Sequence, residues 1–135
     1  MRAVLDPNIL IAALLSPSGA PARIFGRWLG GDFELIVSEA LLSELERALA
    51  YPKLRRRIPA DDAAEFVSLL RVAAILAPDP AAGARRSGDP ADDYLLALAE
   101  KERAVLVSGD PHLLEFADEL PIEAARTFLN RLADE

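Results

Sequence analysis

Two short apolar runs constrain this chain most, because each delivers an aspartate just past its carboxyl end: Ala3-Val4-Leu5 into Asp6-Pro7-Asn8, and Ala104-Val105-Leu106-Val107 into Ser108-Gly109-Asp110. In an open parallel α/β sheet, ligands bind outside the carboxyl ends of the strands. Acids brought there from opposite ends of the sequence can therefore converge on one pocket. Convergent carboxylates point to a divalent cation.

The rest of the chain supports such a sheet. Strand-like stretches fall at residues 2–5, 33–37, 73–76 and 105–108, with a weaker one at 122–124. Helical patterns occupy 8–15, 21–29, 39–50, 60–71, 90–102, 111–117 and 127–132. This alternation predicts an α/β fold, a three-layer α/β/α sandwich around a central parallel sheet of four to five short strands. No internal repeat or long linker divides the 135 residues, and the stretch richest in Pro, Gly and Ala, 78–88, reads as one loop. One domain spanning 1–135 is expected.

Cysteine is absent, so a metal has to be held by oxygen or by the lone His112. Oxygen ligands favour magnesium or manganese. The start of the chain reaches Asp6-Pro7 too soon for a signal peptide, and no apolar run approaches membrane-spanning length, so a cytoplasmic protein without membrane contact is expected. The net charge of −7, from 22 acids against 15 bases, is the wrong sign for a general nucleic-acid binder. The bases are unevenly spread, however: Arg47, Lys53, Arg55, Arg56 and Arg57 fall within eleven residues. Such a cluster suits either phosphate contact or a solvated helix end.

The aspartates have two readings. Asp-Pro occurs at 6–7, 79–80, 89–90 and 110–111, and a helical pattern directly follows three of these pairs. Asp is a preferred N-cap and Pro is favoured at the first helical position, so Asp6, Asp89 and Asp110 can be caps alone. A cap needs no companions, yet Asp6 brings Asn8, Asp110 follows Ser108, and the helix opened by Asp89-Pro90 carries Asp92 and Asp93 in its first turn. Crowded carboxylates resist ionising unless a cation compensates them. In the helix after residue 37, Glu44 and Glu46 flank the apolar stripe of Leu41, Leu42, Leu45, Ala48 and Leu49 on opposite sides, and periodicity does not choose between them. His112 reads as a surface or packing residue and Trp28 as core.

The segments Val4-Leu5-Asp6-Pro7-Asn8-Ile9-Leu10, 38–45, 89–99 and Val107-Ser108-Gly109-Asp110 come in the order of the four acidic motifs of the PIN domain, which the chain resembles over nearly its whole length. Within that family it is most similar to the VapC-like ribonucleases, toxin components of toxin-antitoxin systems, a similarity that includes Ala50-Tyr51-Pro52-Lys53-Leu54. The resemblance implies a metal-dependent ribonuclease that hydrolyses phosphodiester bonds of single-stranded or looped RNA with one or two Mg2+ or Mn2+ ions. It implies Asp6, Glu44 (rather than Glu46), Asp92 and Asp110 as catalytic metal ligands. Asn8, Ser108 and Asp93 stand beside them as supporting groups, and Asp89 is the cap. Pro7 stands where relatives often have Thr or Ser, and His112 where many have another acid. Implied partners are the RNA, an antitoxin protein and an identical subunit. Arg55, Arg56 and Arg57, with Arg23, Arg27, Arg85 and Arg86, are the candidate RNA-binding rim. The same acids also suit a structure-specific DNA nuclease, another phosphoesterase, or a non-catalytic binding module that keeps the fold.

Overall fold

A computed structural model describes residues 1–81 and 90–134 of the protein. Its elements run β1 (Arg2–Leu5), α1 (Pro7–Leu15), α2 (Ala20–Leu29), β2 (Glu34–Val37), α3 (Glu39–Leu49), α4 (Pro52–Arg55), α5 (Ala60–Ala73), β3 (Ile75–Leu76), α6 (Pro90–Lys101), β4 (Val105–Val107), α7 (Pro111–Leu114), β5 (Ile122–Glu123) and α8 (Ala125–Ala133). The five strands lie in the order β3-β2-β1-β4-β5, and every neighbouring pair is parallel. The expected α/β fold is thus present, with five strands.

Chain direction explains the layers. From β1 the chain steps outward through β2 to β3, then crosses back over the sheet to β4 on the other side of β1. Right-handed crossovers require the helices of the two directions to cover opposite faces. The packing agrees: α1 lies against α2 and α3, and α3 against α5, while α6 packs on β1 and β4. Strand order therefore reverses between β1 and β4, and that is where a crevice opens at the carboxyl ends of such a sheet.

Burial holds this centre in place. Ala3, Val4, Leu5, Leu106 and Val107 are buried, and each large apolar side chain so buried stabilises the fold by about 1.5–3 kcal/mol. Trp28 is core, as expected, and meets Phe25 edge-on with ring centroids 5.2 Å apart.

Some boundaries differ from those read in the sequence. β3 loses residues 73 and 74 because α5 buries Ala63, Phe66, Val67 and Leu70 at helical spacing, which carries the helix to Ala73. Ala74 then closes it by donating its N–H to the Leu70 carbonyl at 3.0 Å. The basic cluster gains a helix of its own, α4, started by Pro52 at its first position; four residues are too few to show a periodicity. α7 stops at Leu114, and most of the 78–88 loop, with Arg85, Arg86 and Asp89, lies outside the described residues. Among the described residues no single helix is long and apolar enough to cross a membrane.

Candidate functional site

Register builds the centre of the site. Leu5 pairs with Val107 across the β1–β4 ladder, so the next residues, Asp6 and Ser108, leave the sheet side by side. The Asp6 N–H continues the ladder by donating to the Val107 carbonyl at 3.0 Å. Asp6 then caps α1: its Oδ1 accepts the N–H of Asn8 at 3.0 Å, the first amide available after Pro7. Oδ2 accepts the Ser108 hydroxyl at 2.8 Å. The same Ser108 oxygen accepts the N–H of Asp110 at 3.1 Å, and Asp110 caps α7 by accepting the His112 N–H at 2.9 Å. One fully buried hydroxyl thus links the two turns.

Asp6 is buried with only 6 % of its surface exposed, an uncommon position for a carboxylate. Burial pushes its carboxyl up from the ordinary aspartate range, while the Asn8 amide and the Ser108 hydroxyl pull it down and the charge of Asp110 pushes it up again. Asn8 contributes its backbone N–H, and its side chain is exposed. His112 is likewise exposed.

Glu44 enters from α3, a helix capped by buried Ser38, whose hydroxyl oxygen accepts the Leu41 N–H at 3.3 Å. Its Oε2 accepts a hydrogen bond from the hydroxyl of Tyr94 on α6. Burial and the hydrogen bond and charge of Glu44, followed by the charges of Asp6 and Asp79, push the Tyr94 phenol far above its usual range. Tyr94 therefore stands among Glu44, Asp6 and Asp79. Asp79 also supports α3, accepting the Ala40 N–H at 3.1 Å. Asp92 and Asp93 sit, half-buried, in the first turn of α6, the helix that carries Tyr94.

Glu46 points elsewhere. It lines a cavity of about 370 Å³ between α3 and α5, with Leu49, Arg55, Ala63, Val67 and Arg71 among its walls. There it lies 3.8 Å from Arg71, which also pairs with Glu39. The two glutamates that periodicity leaves equivalent are thus separated by tertiary structure. Of the candidate rim, Arg27 is held by Asp32 and by the Leu132 carbonyl at 3.1 Å, Arg56 donates to the Pro52 carbonyl at 3.3 Å, and Arg55 lines the α3–α5 cavity. Arg23 and Arg57 are exposed.

In kind, these donors fit a hard divalent cation. All are carboxylate oxygens, and a cation beside Asp6 would offset the burial that opposes its ionisation. In spacing, no three His, Asp or Glu side chains among the described residues gather closely enough to hold one ion. Three of the acids are instead engaged by protein donors: Asp6 by Asn8 and Ser108, Asp110 by His112, Glu44 by Tyr94. Tyr94 and Asp79 were not singled out in the sequence. The signal for Tyr94 was its place directly after Asp92-Asp93; Asp79 had only its Asp-Pro pair.

Comparison with known proteins agrees with this architecture. Residues 2–112 match the PIN domain. The uncharacterized protein MJ1680 of Methanocaldococcus jannaschii is 25 % identical over 123 residues, which span 88 % of this chain and 77 % of that protein. Among solved structures, PAE2754 from Pyrobaculum aerophilum aligns with a TM-score of 0.70 at 19 % identity, covering 100 % of this chain and 91 % of its own. VapBC2 from Rickettsia felis, bound to a DNA fragment from its promoter, aligns with a TM-score of 0.64 at 15 % identity over 92 % of this chain and 98 % of that one.

Proposed function

Because this chain belongs to the PIN domain family, we propose that it is a metal-dependent ribonuclease, the toxin component of a toxin-antitoxin pair acting in the cytoplasm. The observation that carries the reading is the buried Asp6 at the point where strand order reverses, tied through Ser108 to the turn that bears Asp110. Capping of α1 engages Oδ1 of Asp6, while burial opposes its charge, a cost that a bound cation would offset.

On this reading Asp6, Glu44, Asp92 and Asp110 hold one or two Mg2+ or Mn2+ ions, which when bound supply Lewis-acid activation of water and of the scissile phosphate. Ser108 and the Asn8 amide aim the Asp6 carboxylate, and the His112 amide aims that of Asp110. Fixed orientation is what such outer partners contribute to metal ligands. Asp93 supports Asp92 in the first turn of α6. Arg55 to Arg57, with Arg23, offer cations to RNA phosphates on an otherwise acidic protein, with Arg27 the least free to do so. An antitoxin is the partner suggested by the structural likeness to VapBC2, and a second copy of the chain completes the assembly.

The test is cleavage of end-labelled single-stranded RNA by the purified protein with Mn2+, Mg2+ or EDTA, beside Asp6→Asn prepared identically. Cleavage that requires metal and disappears in the variant supports the reading. Metal binding without RNA cleavage would redirect it to a DNA substrate or to a binding module.

A further inference from the structure

Asp6, Asp110 and Glu44 are each aimed by a donor, but the donors differ in reach. Asp6 and Asp110 are held by amides two residues further along their own turns. Glu44 is held across the fold, by a hydroxyl 50 residues away on α6. A glutamate has three side-chain torsions, and ordering one costs up to about 2 kcal/mol of rotamer freedom. Without a partner, Glu44 on its half-exposed helix face would sample solvent. The phenol that restrains it is itself part-buried, lies within the fields of Asp6 and Asp79, and follows Asp92 and Asp93 directly on the same helix. Its helix packs on both β1 and β4, the strands that deliver Asp6 and Asp110.

We propose that Tyr94 is the positioning residue of the carboxylate pocket, its hydroxyl holding Glu44 Oε2 and so fixing the orientation in which the glutamate meets a cation. This rests on the proposed cation-dependent activity. Tyr94 acts through Glu44 and needs no contact with substrate. The hydroxyl engages one oxygen of Glu44, Oε2, and because Tyr94 stands two positions after Asp92 on α6, it ties the placement of Glu44 to the helix that carries Asp92.

The experiment is Mn2+ titration, read by electron paramagnetic resonance of the free ion, on the full chain and on Tyr94→Phe, Glu44→Gln and the double variant, with thermal melting to establish that each is folded. Tyr94→Phe keeps the ring and loses only the donor. The expected result is Mn2+ affinity lowered ~10-fold or more by Tyr94→Phe, the scale on which outer partners of metal ligands act, and no further loss when it is added to Glu44→Gln. RNA cleavage at saturating Mn2+ should recover in Tyr94→Phe more than in Asp6→Asn. Parent-like Mn2+ affinity in Tyr94→Phe, beside weakened binding in Glu44→Gln, would overturn the role of Tyr94 and leave the cation reading standing. Additive losses in the double variant would also overturn it, since the hydroxyl would then act independently of Glu44. A parent protein with no saturable Mn2+ binding would overturn the cation reading and this role together.

Discussion

The turn that leaves β1 and the turn that leaves β4 are assembled from the same parts. Each has an aspartate N-cap, a proline at the first helical position, and a carboxylate that accepts the amide two residues on, at 3.0 Å for Asp6 and 2.9 Å for Asp110. They differ in what surrounds them. Asp6 and Pro7 are buried, whereas Asp110 is half-buried and Pro111 exposed. β1 is the middle strand of five, and α1, which follows it, packs against α2 and α3; β4 leads into a helix of only four residues. Identical capping chemistry thus sits in two environments, and at Asp6 burial opposes the charge of the carboxylate.

The sharpest way to break this comparison is functional. If both turns are arms of one cation site, Asp6→Asn and Asp110→Asn should each lower metal-dependent RNA cleavage by more than about 100-fold, beyond the ~10–100-fold typical of losing an outer partner. Full activity in Asp110→Asn would reduce that turn to a helix cap. Ser108→Ala comes next, because it removes the donor to Asp6 and the acceptor for the Asp110 amide together. An unsatisfied buried group costs about 1–3 kcal/mol, and chemical denaturation should show a loss of that order together with weaker cleavage. An unchanged midpoint would mean that the two turns are energetically separate.

The pH dependence of stability sharpens the comparison further. Burial raises the Asp6 carboxyl, so the folded chain holds this proton more tightly than the unfolded chain does. Its contribution is therefore fully present below the ordinary aspartate pKa of about 4 and is lost as pH rises through the raised folded value. In EDTA, the melting temperature of the parent should fall relative to that of Asp6→Asn as pH rises through this window. Added Mn2+ should return it at neutral pH by binding the folded, ionised pocket. A constant difference between parent and variant across pH would contradict the assigned burial. The smallest effect concerns the prolines: Pro111→Ala should cost about 0.4–1 kcal/mol through the unfolded chain alone. Pro7→Ala should cost more, because its ring is also buried. Equal costs in denaturant titrations would show that the buried turn gains nothing from its surroundings.

Much of this was legible beforehand. The runs ending at Leu5 and Val107 announced parallel strands, and the Asp-Pro pairs announced helix starts that the structure bears out at 6–7 and 110–111. α4 was not legible, and β3 was read too long, since in both cases a few residues carry no period of their own. Glu44 and Glu46 show the limit best. They are equivalent on the helix wheel, yet one meets Tyr94 and the other lies beside Arg71.

What the sequence determined by itself is therefore local: which runs form strands, which aspartates cap helices, and that carboxylates arrive at the carboxyl edge of a parallel sheet. These features depend on backbone sterics and on hydrogen bonds spanning two or three residues, which operate wherever the chain goes. The tertiary structure alone decided that Asp6 would be buried, that Ser108 would reach it across 102 residues, and that Tyr94 would meet Glu44. Desolvation and long-range pairing depend on strand register and helix packing, which arise only when the whole sheet is assembled.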